Sequence, residues 1–346
     1  MIRPLWQIVD LGSLGGESLG LAINAAGIVS GTSFLSSTDP HSGGVRAFRY
    51  ADGVGMIDVG VLPKSNMSFG NGINNGGLIV GACLVNVNGD TEPRAFLASD
   101  ALVLSDIGSL GGGASIANDI NDQGQVTGQS WNTDGLEHAF LWTSDGMRDI
   151  GTLGGKFSIG WSINDSGQVA GESHIDAGQT IRAFRSSEVE GMINLGALGG
   201  TNSQATGINN SGQVVGESDT GPILRSSVRL RVFPPLFGTH AFLWTEGVGM
   251  TDLGHLGGGT SHAAAISNNG MVVGWSTLLN GAFHAFRWTK ADGMIDLNTL
   301  LPLNSGWVLT EANGANDKGQ ITGSGLHNGL RRAFRLGPLE IVNTLG

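Results

Sequence analysis

The chain has 346 residues, of which 18 are Lys or Arg and 29 are Asp or Glu, and its formal net charge is −11 at pH 7. Because binding to a polyanion needs clustered positive charge, this balance argues against nucleic acid or an anionic membrane surface as a partner. The single Cys83 excludes an intrachain disulfide framework. Apolar residues make up 40% of the chain and charged residues only 14%, which indicates a large buried core.

Neither a membrane span nor an export signal is visible in the sequence. No apolar run reaches the roughly 18 residues of a transmembrane helix, and the start, MIRPLWQIVDLG, lacks the apolar core of a secretory signal. We therefore expect a protein without a membrane span that is cytoplasmic as the sequence stands, or extracellular or periplasmic if a leader has been removed.

Read from the N terminus, the chain opens with a short β-type segment, Ile8-Val9-Asp10, and a sequence pattern then occurs seven times. Each repeat combines a DLGxLGG-like segment, an INxxGxxxG-like segment and an Ala-Phe pair preceded by Arg or His. Repeats of about 43 to 58 residues without a linker predict one closed domain, residues 1–346. The predicted repeats are residues 13–60, 61–108, 109–151, 152–196, 197–254, 255–298 and 299–346.

The fourth repeat shows the predicted strands clearly. Its first short run ends in the tight-turn signal Asn164-Asp165-Ser166-Gly167 and is followed by a second run, which predicts a β-hairpin. Gly-rich connections separate two further runs, and no helical period is visible, so the chain is predicted to be all-β. In chain order, the four predicted strands are Ser158 to Ile163, Gln168 to Ser173, Arg182 to Arg185 and Met192 to Leu195.

Seven copies of a four-stranded antiparallel unit predict a seven-bladed β-propeller, with an open solenoid as the alternative. Small residues at one position of the innermost strand favour the ring, because crowding near a central axis would require them. They are Gly20, Gly70, Ala117, Gly160, Ala205 and Ala263. One glycine series follows the Asn-containing turn and is expected to adopt positive φ: Gly27, Gly77, Gly124, Gly167, Gly212, Gly270 and Gly319.

Both ends of the chain carry a segment of the fourth-strand type, Ile8-Val9-Asp10 and Ile341-Val342-Asn343. Ring closure needs only one of them. We expect the two ends to meet at the first and last blades, with one segment completing the seventh sheet.

Each Ala-Phe pair follows a cation, and an acid usually occurs in the next strand, as at Asp58, Asp149, Asp252 and Asp296. His and Arg share the ability to donate hydrogen bonds to a carboxylate. We interpret the pairs as structural staples, within a blade or between blades. The cations are Arg46, Arg94, His138, Arg182, His240, His284 and Arg332.

The segments INDQGQVTG, EHAFLW and RDIGTLGG resemble the HAF-repeat family, named for its His-Ala-Phe triplet, and the resemblance covers nearly the whole chain. The last repeat, with an SGW insertion around Trp307, is similar to the terminal repeat of that family. The resemblance implies a bacterial, extracellular repeat protein with a propeller fold, and it implies no particular activity. In this chain the triplet reads RAF in four repeats.

Repeat length varies mainly between the second and third strands and between the fourth strand and the next first strand. In an up-and-down blade these two connections lie at the same end, and loops on a rigid scaffold commonly carry function. We therefore predict a ligand site on this variable face, at the mouth of the central channel. The fifth repeat has a long insertion there, residues 219–239, which supplies the ligand-binding candidates Arg225, Arg229, Arg231, Phe233 and Phe237.

Five histidines outside the Ala-Phe motif map to the same face. With an acid from an inner strand they form the catalytic hypothesis, in which general acid–base chemistry is carried by His262, His255, His327, His41 and Asp119. Further ligand-binding candidates are His174, Trp161 and Trp275, although packing between blades explains a Trp equally well. No metal-ligand spacing is present, so no metal or cofactor is expected.

The favoured hypothesis is a binding or interaction scaffold that holds a small molecule, glycan or protein on the variable face, as a monomer or small homo-oligomer. The alternative is an enzyme, for instance a lyase, isomerase, cyclase or hydrolase, with a His/Asp/Arg acid–base site in the same pocket. Identical polar residues in every loop would have indicated a multivalent lectin, and they are absent.

Overall fold

The computed structural model describes residues 6–36, 44–177, 180–221 and 238–339. Within these ranges 28 strands form seven antiparallel sheets of four strands, arranged in a ring: a seven-bladed β-propeller, as the repeat predicted. The described part contains one short 3₁₀ helix, Leu297–Leu300, and no helix there has the length and apolar character to cross a membrane.

In each blade the strands follow one another outward from the channel. The first blade contains β2 (Ser18–Ile23), β3 (Val29–Phe34), β4 (Val45–Ala51) and β5 (Gly55–Gly60). The second contains β6 (Ser65–Ile73), β7 (Ile79–Val87), β8 (Asp90–Ala98) and β9 (Leu104–Asp106). The third contains β10 (Gly111–Ile120), β11 (Val126–Asn132), β12 (Glu137–Thr143) and β13 (Gly146–Asp149).

The next three blades repeat this order. The fourth contains β14 (Ser158–Ile163), β15 (Val169–His174), β16 (Ile181–Ser187) and β17 (Gly191–Asn194). The fifth contains β18 (Gly199–Ile208), β19 (Val214–Thr220), β20 (Thr239–Thr245) and β21 (Gly249–Asp252). The sixth contains β22 (Ser261–Ile266), β23 (Val272–Thr277), β24 (Phe283–Thr289) and β25 (Gly293–Asp296).

The seventh blade combines both ends of the chain. Its three inner strands are β26 (Trp307–Ala315), β27 (Ile321–His327) and β28 (Leu330–Pro338), and its outermost strand is the N-terminal β1 (Trp6–Asp10). The pairing of β1 with β28 runs from Trp6 opposite Pro338 to Asp10 opposite Phe334. The N-terminal segment therefore closes the ring, and the other candidate, Ile341 to Asn343, lies outside the described residues.

The Ala-Phe pairs form the centre of each blade interface. All seven Ala and all seven Phe side chains are fully buried, and they contribute to a separate apolar cluster in each part of the ring. A buried Phe stabilises a fold by roughly 2 to 3 kcal/mol through the area removed from water. The repeated pair thus supplies the packing that one isolated four-stranded sheet lacks.

The small residues of the innermost strands have a different cause from the one expected. A Cβ at Gly20 would collide with Thr322 Oγ1, and one at Gly160 would collide with Thr127 Oγ1. Both contacts are with the preceding blade. Close approach between neighbouring blades, and not crowding at the central axis, requires small residues here.

An asparagine ladder explains the INxxG segment. Asn164 is buried, and its Oδ1 accepts hydrogen bonds from the backbone N–H groups of Ser166 and Gln168. Its Nδ2 donates to the side chain of Gln168 at 2.8 Å and to the carbonyl oxygen of Asn209 in the next blade at 3.0 Å. Donation to the next blade recurs at Asn24, Asn74, Asn121, Asn209 and Asn316. The motif therefore shapes the hairpin turn and also joins adjacent blades.

Replacing Asn164 by Ala is expected to lower the free energy of unfolding by about 3 kcal/mol, because it leaves several buried backbone groups without partners. Urea unfolding of the two proteins measures the difference. Gln123→Ala changes an exposed residue of the corresponding third-blade turn and should stay within about 0.5 kcal/mol of the parent. Equal midpoints for Asn164→Ala and the parent would contradict the ladder.

The cation before each Ala-Phe pair mostly forms the expected staple, within a blade. Nδ1 of His138, His240 and His284 lies 2.7, 2.8 and 2.7 Å from the acid on the neighbouring fourth strand. Arg46 approaches Asp58 at 3.4 Å, whereas Arg94 pairs with Glu92 at 2.9 Å. The carboxylates also accept the backbone N–H two residues later, so one acid fixes both the strand pair and the following loop.

Cys83 occupies a position that is Ser in most repeats. Ser33, Ser130 and Ser173 each accept the backbone N–H of a Leu in the preceding loop, and Cys83 Sγ accepts that of Leu62 at 3.4 Å. Burial raises the pKa of the Cys83 thiol, which keeps it protonated and unreactive. It is a structural residue.

Candidate functional site

The two ends of the propeller carry different connections between strands. We call the end with the connections between second and third strands the upper end, and the end with the Asn-Gly turns the lower end. A channel cavity of about 410 Å³ lies between the inner strands. Each inner strand has a bulge at the same position of the repeat, and the residues at these bulges line this cavity: Leu21, Asn71, Asn118, Trp161, Thr206, Ala264 and Asn313.

Trp161 is the aromatic member of this ring. Most of its polar counterparts donate to a carbonyl oxygen of the next blade, as Asn118 does to Gly160 at 2.9 Å. Trp161 makes no such hydrogen bond within the described residues, and 36% of its surface remains exposed on the channel wall. Its indole instead lies near the carboxyl group of Glu172, on the second strand of the same blade, where it favours the charged form.

Glu172 is almost entirely buried, with 5% of its surface exposed. It lies opposite Ile159 on one side and Ala183 on the other. The side chain of Gln204, in the fifth blade, also lies near this carboxyl and favours its charged form, while Oε2 has no hydrogen-bond partner among the described residues. Burial, reinforced by repulsion from Glu217 and Glu137, raises the pKa of Glu172 to about 7.

Glu217 occupies the same position in the fifth blade, opposite Gln204. Its Oε2 lies 3.1 Å from Nδ1 of His262 in the sixth blade. The ring of His262 stacks on Trp275, with centroids 5.6 Å apart and an interplanar angle of 14°. About a fifth of the His262 side chain and a quarter of the Glu217 side chain remain exposed, so both are accessible to a ligand.

Glu137 completes the group from the third blade. Its carboxyl lies near the side chain of Gln129, whose oxygen accepts a hydrogen bond from Asn118 at 2.8 Å, and burial raises the pKa of Glu137. We call Glu137, Trp161, Glu172, Gln204, Glu217 and His262 the Glu172 cluster. Electrostatic interactions with Glu172 and the contact between Glu217 and His262 relate its members from the third blade to the sixth.

His262 is the member of the predicted catalytic set that lies in this cluster. His255 is close to it in sequence, but its Nδ1 accepts the backbone N–H groups of Gly257 and Gly259 at 2.9 and 3.3 Å. Ser109 makes the same contacts in the third repeat. His255 therefore shapes a glycine turn, and its ring packs against His240 at 5.1 Å.

His327 and His174 serve the blades in which they lie. Nδ1 of His327 is 2.7 Å from Asp10 Oδ2, and its ring stacks on Trp307 at 4.5 Å. This pair replaces the motif staple in the seventh blade and ties β1 to β27. The ring of His174 contacts Phe157 at 5.0 Å.

Asp119 joins the third blade to the fourth. Its carboxylate accepts hydrogen bonds from the Ser162 hydroxyl at 2.8 Å and from the backbone N–H groups of Ile163 and Ile120 at 3.0 and 2.8 Å. Burial raises its pKa to about 6 although these hydrogen bonds oppose the shift. The structure places it in a blade interface and gives it no histidine partner among the described residues.

Part of the predicted site is not described. His41 and the fifth-repeat candidates Arg225, Arg229, Arg231, Phe233 and Phe237 lie outside the described residues. Within the described ranges, no group of three or more His, Cys, Asp or Glu is placed to hold a metal ion.

A larger cavity, of about 810 Å³, lies between the third and fourth blades at the lower end. Its buried cation, Arg185, forms ion pairs with Glu190 at 2.8 Å and Glu246 at 3.1 Å and covers the Trp244 ring. These contacts already balance the charge of Arg185, so this cavity presents no uncompensated buried charge at Arg185 to a ligand.

The sequence patterns singled out Trp161 and His262 but did not select Glu137, Glu172, Gln204 or Glu217. A signal for two of them exists. The residue between Gly and Ser in the second strand is the variable position of an otherwise regular motif, and only the fourth and fifth repeats have Glu there. Across the seven repeats the position reads Thr32, Ala82, Gln129, Glu172, Glu217, Trp275 and Ser324.

The raised pKa of Glu172 predicts a stability that depends on pH. The folded protein holds this proton more tightly than the unfolded chain, whose carboxyl titrates near 4.5. The contribution of Glu172 is therefore most favourable at low pH and is lost as the pH rises from about 4.5 to about 7. Relative to Glu172→Gln, the wild type should lose about 3 kcal/mol between pH 4.5 and pH 8.

Guanidinium unfolding of both proteins at the two pH values tests this dependence. Asp145→Asn removes an exposed charge at the lower end and serves as the control, for which no comparable pH-dependent difference is expected. A wild-type minus Glu172→Gln difference that stays constant with pH would show that the carboxyl titrates normally.

No family model and no curated protein matches this chain. Among solved structures, it is similar to a puromycin hydrolase, at 14% identity over 92% of this chain and 53% of that one, with a TM-score of 0.52. Weaker similarities include TolB from Acinetobacter baumannii (12% identity, 75% and 63% covered, TM-score 0.43). A gluconolactonase from Xanthomonas campestris is similar at 8% identity over 96% of this chain and 90% of that one, with a TM-score of 0.43. The chain spans less than two thirds of the length of the puromycin hydrolase and of TolB. At these identities the similarity shows the propeller fold alone.

Proposed function

We propose that the protein is a binding scaffold that holds a small polar ligand in the upper part of its central channel, at the Glu172 cluster. One observation carries the proposal. A carboxyl group with 5% exposure keeps one oxygen without a hydrogen-bond partner among the described residues, beside a Trp that is one third exposed on the channel wall. Buried polar groups are normally satisfied, and exceptions are often found at functional sites.

The composition of the cluster supports binding of an organic ligand. Trp161 offers an aromatic surface for stacking, while carboxylates, Gln204 and His262 offer hydrogen-bonding groups around it. These residues depart from the repeat, so they form one site in one sector and not seven equivalent sites. The fifth-repeat arginines, Arg225, Arg229 and Arg231, remain proposed contributors to the variable face.

A thermal-shift screen of small polar compounds tests the proposal, with hits titrated against variants. Trp161→Ala and Glu172→Gln are conservative for the fold, because the sixth blade has Ala264 and the third has Gln129 at the matching positions. Both variants should weaken a genuine ligand by about tenfold or more, and Asp145→Asn should leave its affinity unchanged. A screen in which no shift depends on Trp161 or Glu172 would refute the site.

An acid–base enzyme is the second candidate, and the pKa of Glu172, raised to about 7, favours it. A general acid or base works best when its pKa lies close to the working pH. Glu172, with the Glu217–His262 pair next to it, could then serve a lyase, isomerase, cyclase or hydrolase reaction. Chemical conversion of a hit, lost in Glu172→Gln while its binding persists, would establish catalysis.

We also propose that the chain is a member of the HAF-repeat family. It is supported by the repeated triplet with its staples and by the fold, and it would make this a bacterial protein that acts outside the cytoplasm. Fractionation of cells that express the full-length gene product tests the compartment: recovery in the cytoplasm alone would contradict an extracellular role.

A further inference from the structure

We propose that the ligand of the Glu172 cluster is a small organic cation, with a primary or secondary ammonium group that lies against Trp161 and the Glu217 carboxylate. This inference rests on the proposed function and adds the chemical class of the ligand. Three observations support it: the charge balance of the cluster, the accessible groups within it, and the poor fit of other occupants.

The cluster carries an excess of negative groups. Glu137, Glu172 and Glu217 contribute three carboxyls, and the basic side chain that contacts one of them in the described part of the chain is His262, whose Nδ1 lies 3.1 Å from Glu217 Oε2. The Lys and Arg residues that form ion pairs elsewhere in the described structure do so with other acids. Repulsion from the other two carboxyls helps to raise the pKa of Glu172. A bound cation would relieve it.

The accessible groups suit an ammonium ion. Trp161 exposes 36% of its surface in the channel, and an indole face is the most favourable aromatic surface for a cation. The Glu217 side chain is 26% exposed and can accept a charge-assisted hydrogen bond. Glu172 is buried, and the carboxyls of Glu172 and Glu137, when ionised, add to the negative potential near Glu217 without having to contact the ligand.

Other classes of occupant fit less well. An anion would face three carboxyls. A metal ion is disfavoured because no set of three suitable side chains is placed to hold one within the described ranges. A neutral polyol could accept and donate hydrogen bonds, but it would leave the excess charge uncompensated in a partly buried site, where charge is costly. An organic cation satisfies the charge and uses the aromatic surface.

The test uses a panel of small primary and secondary amines, including benzylamine and 1,4-diaminobutane, each paired with the alcohol of the same carbon skeleton. Thermal shift and isothermal titration measure binding to the full-length protein. We expect amines to bind where their alcohols do not, and Glu217→Gln to weaken the amines by about tenfold. Asp145→Asn, which removes one charge at the opposite end, should have no effect.

Equal binding of amines and alcohols, or equal binding of amines to wild type and Glu217→Gln, would overturn the inference. Gln204 lies opposite Glu217 and shows that Gln fits in this neighbourhood; a melting temperature near that of the parent verifies that Glu217→Gln folds. If sugars or other neutral compounds bind and depend on Trp161, the ligand site stands and its cationic specificity is wrong. If no compound depends on Trp161 or Glu172, the proposed function itself fails.

Discussion

Removal of residues 1–10 is expected to abolish cooperative folding of the propeller or to lower its stability by about 5 kcal/mol or more, which is comparable to the whole stability of many domains. The strand β1 completes the seventh blade, with five residue pairs along β28. Trp6, Ile8 and Val9 pack against the buried clusters on either side of the seam. Asp10 adds the 2.7 Å contact with His327.

Loss of β1 would expose the edge of β28 and open the only seam at which the two ends of the described chain pair. Circular dichroism and urea unfolding measure the effect, and size-exclusion chromatography detects association through the new edge. Two point variants keep the test informative if the truncated protein is insoluble. Ile8→Ala should cost about 2 kcal/mol, and Gln7→Ala, at an exposed position of the same strand, about 0.5 kcal/mol or less. A truncated protein that unfolds at the parent's midpoint would show that β1 does not hold the ring closed.

Gly171→Ala is expected to lower stability by about 4 kcal/mol or more, the range reserved for severe overpacking or strain. A Cβ at this position would collide with the carbonyl oxygen of Ile159 and would lie 2.8 Å from the Phe184 ring. The carbonyl belongs to the bulged inner strand and the Phe is fully buried, so neither group can move away without a large cost in free energy. The same collision with an inner-strand carbonyl recurs at Gly31, Gly81, Gly128, Gly216, Gly274 and Gly323.

Gly135→Ala is the matched control for this prediction. Gly135 has φ of +74°, and a methyl group added there would have no heavy atom within 4 Å, so only the left-handed backbone conformation opposes Ala. Its cost should be about 1 kcal/mol. Thermal unfolding of the two variants separates contact from conformation. Similar losses in both would mean that the second-strand glycine is required for its backbone angle and not for the close approach of Ile159.

The number of blades and strands could be predicted because each repeat contains the same local signals. The turn glycines, predicted to have positive φ, do so at all seven positions, from +72° at Gly212 to +83° at Gly27. A hairpin turn is a short-range feature, and four residues suffice to specify it. The inner-strand residues were correctly interpreted as structural but for the wrong reason, since their close neighbours come from the preceding blade and not from the channel axis.

The candidate site was predicted only in part. His262 was selected because it departs from the repeat and enters an inner strand, and the structure gives it the Glu217 partner that sequence spacing does not indicate. His255 and His327 depart from the repeat equally, yet each replaces a structural residue of another repeat. Departure from a repeat therefore marks candidates, but the partner across the blade interface distinguishes a structural substitution from a potential ligand group.

By itself the sequence determined the all-β class, the sevenfold ring, the turn geometry and the end of the molecule at which its repeats differ. These properties follow from local chemistry that is written into every repeat. Only the tertiary structure decided which terminal strand closes the ring and which polar residues meet. Glu172 and Gln204, or Glu217 and His262, belong to different blades, and their approach depends on the rotation between neighbouring sheets and on the bulge that turns Trp161 into the channel. That geometry arises from packing of the buried Ala-Phe pairs between blades, which no single repeat encodes alone.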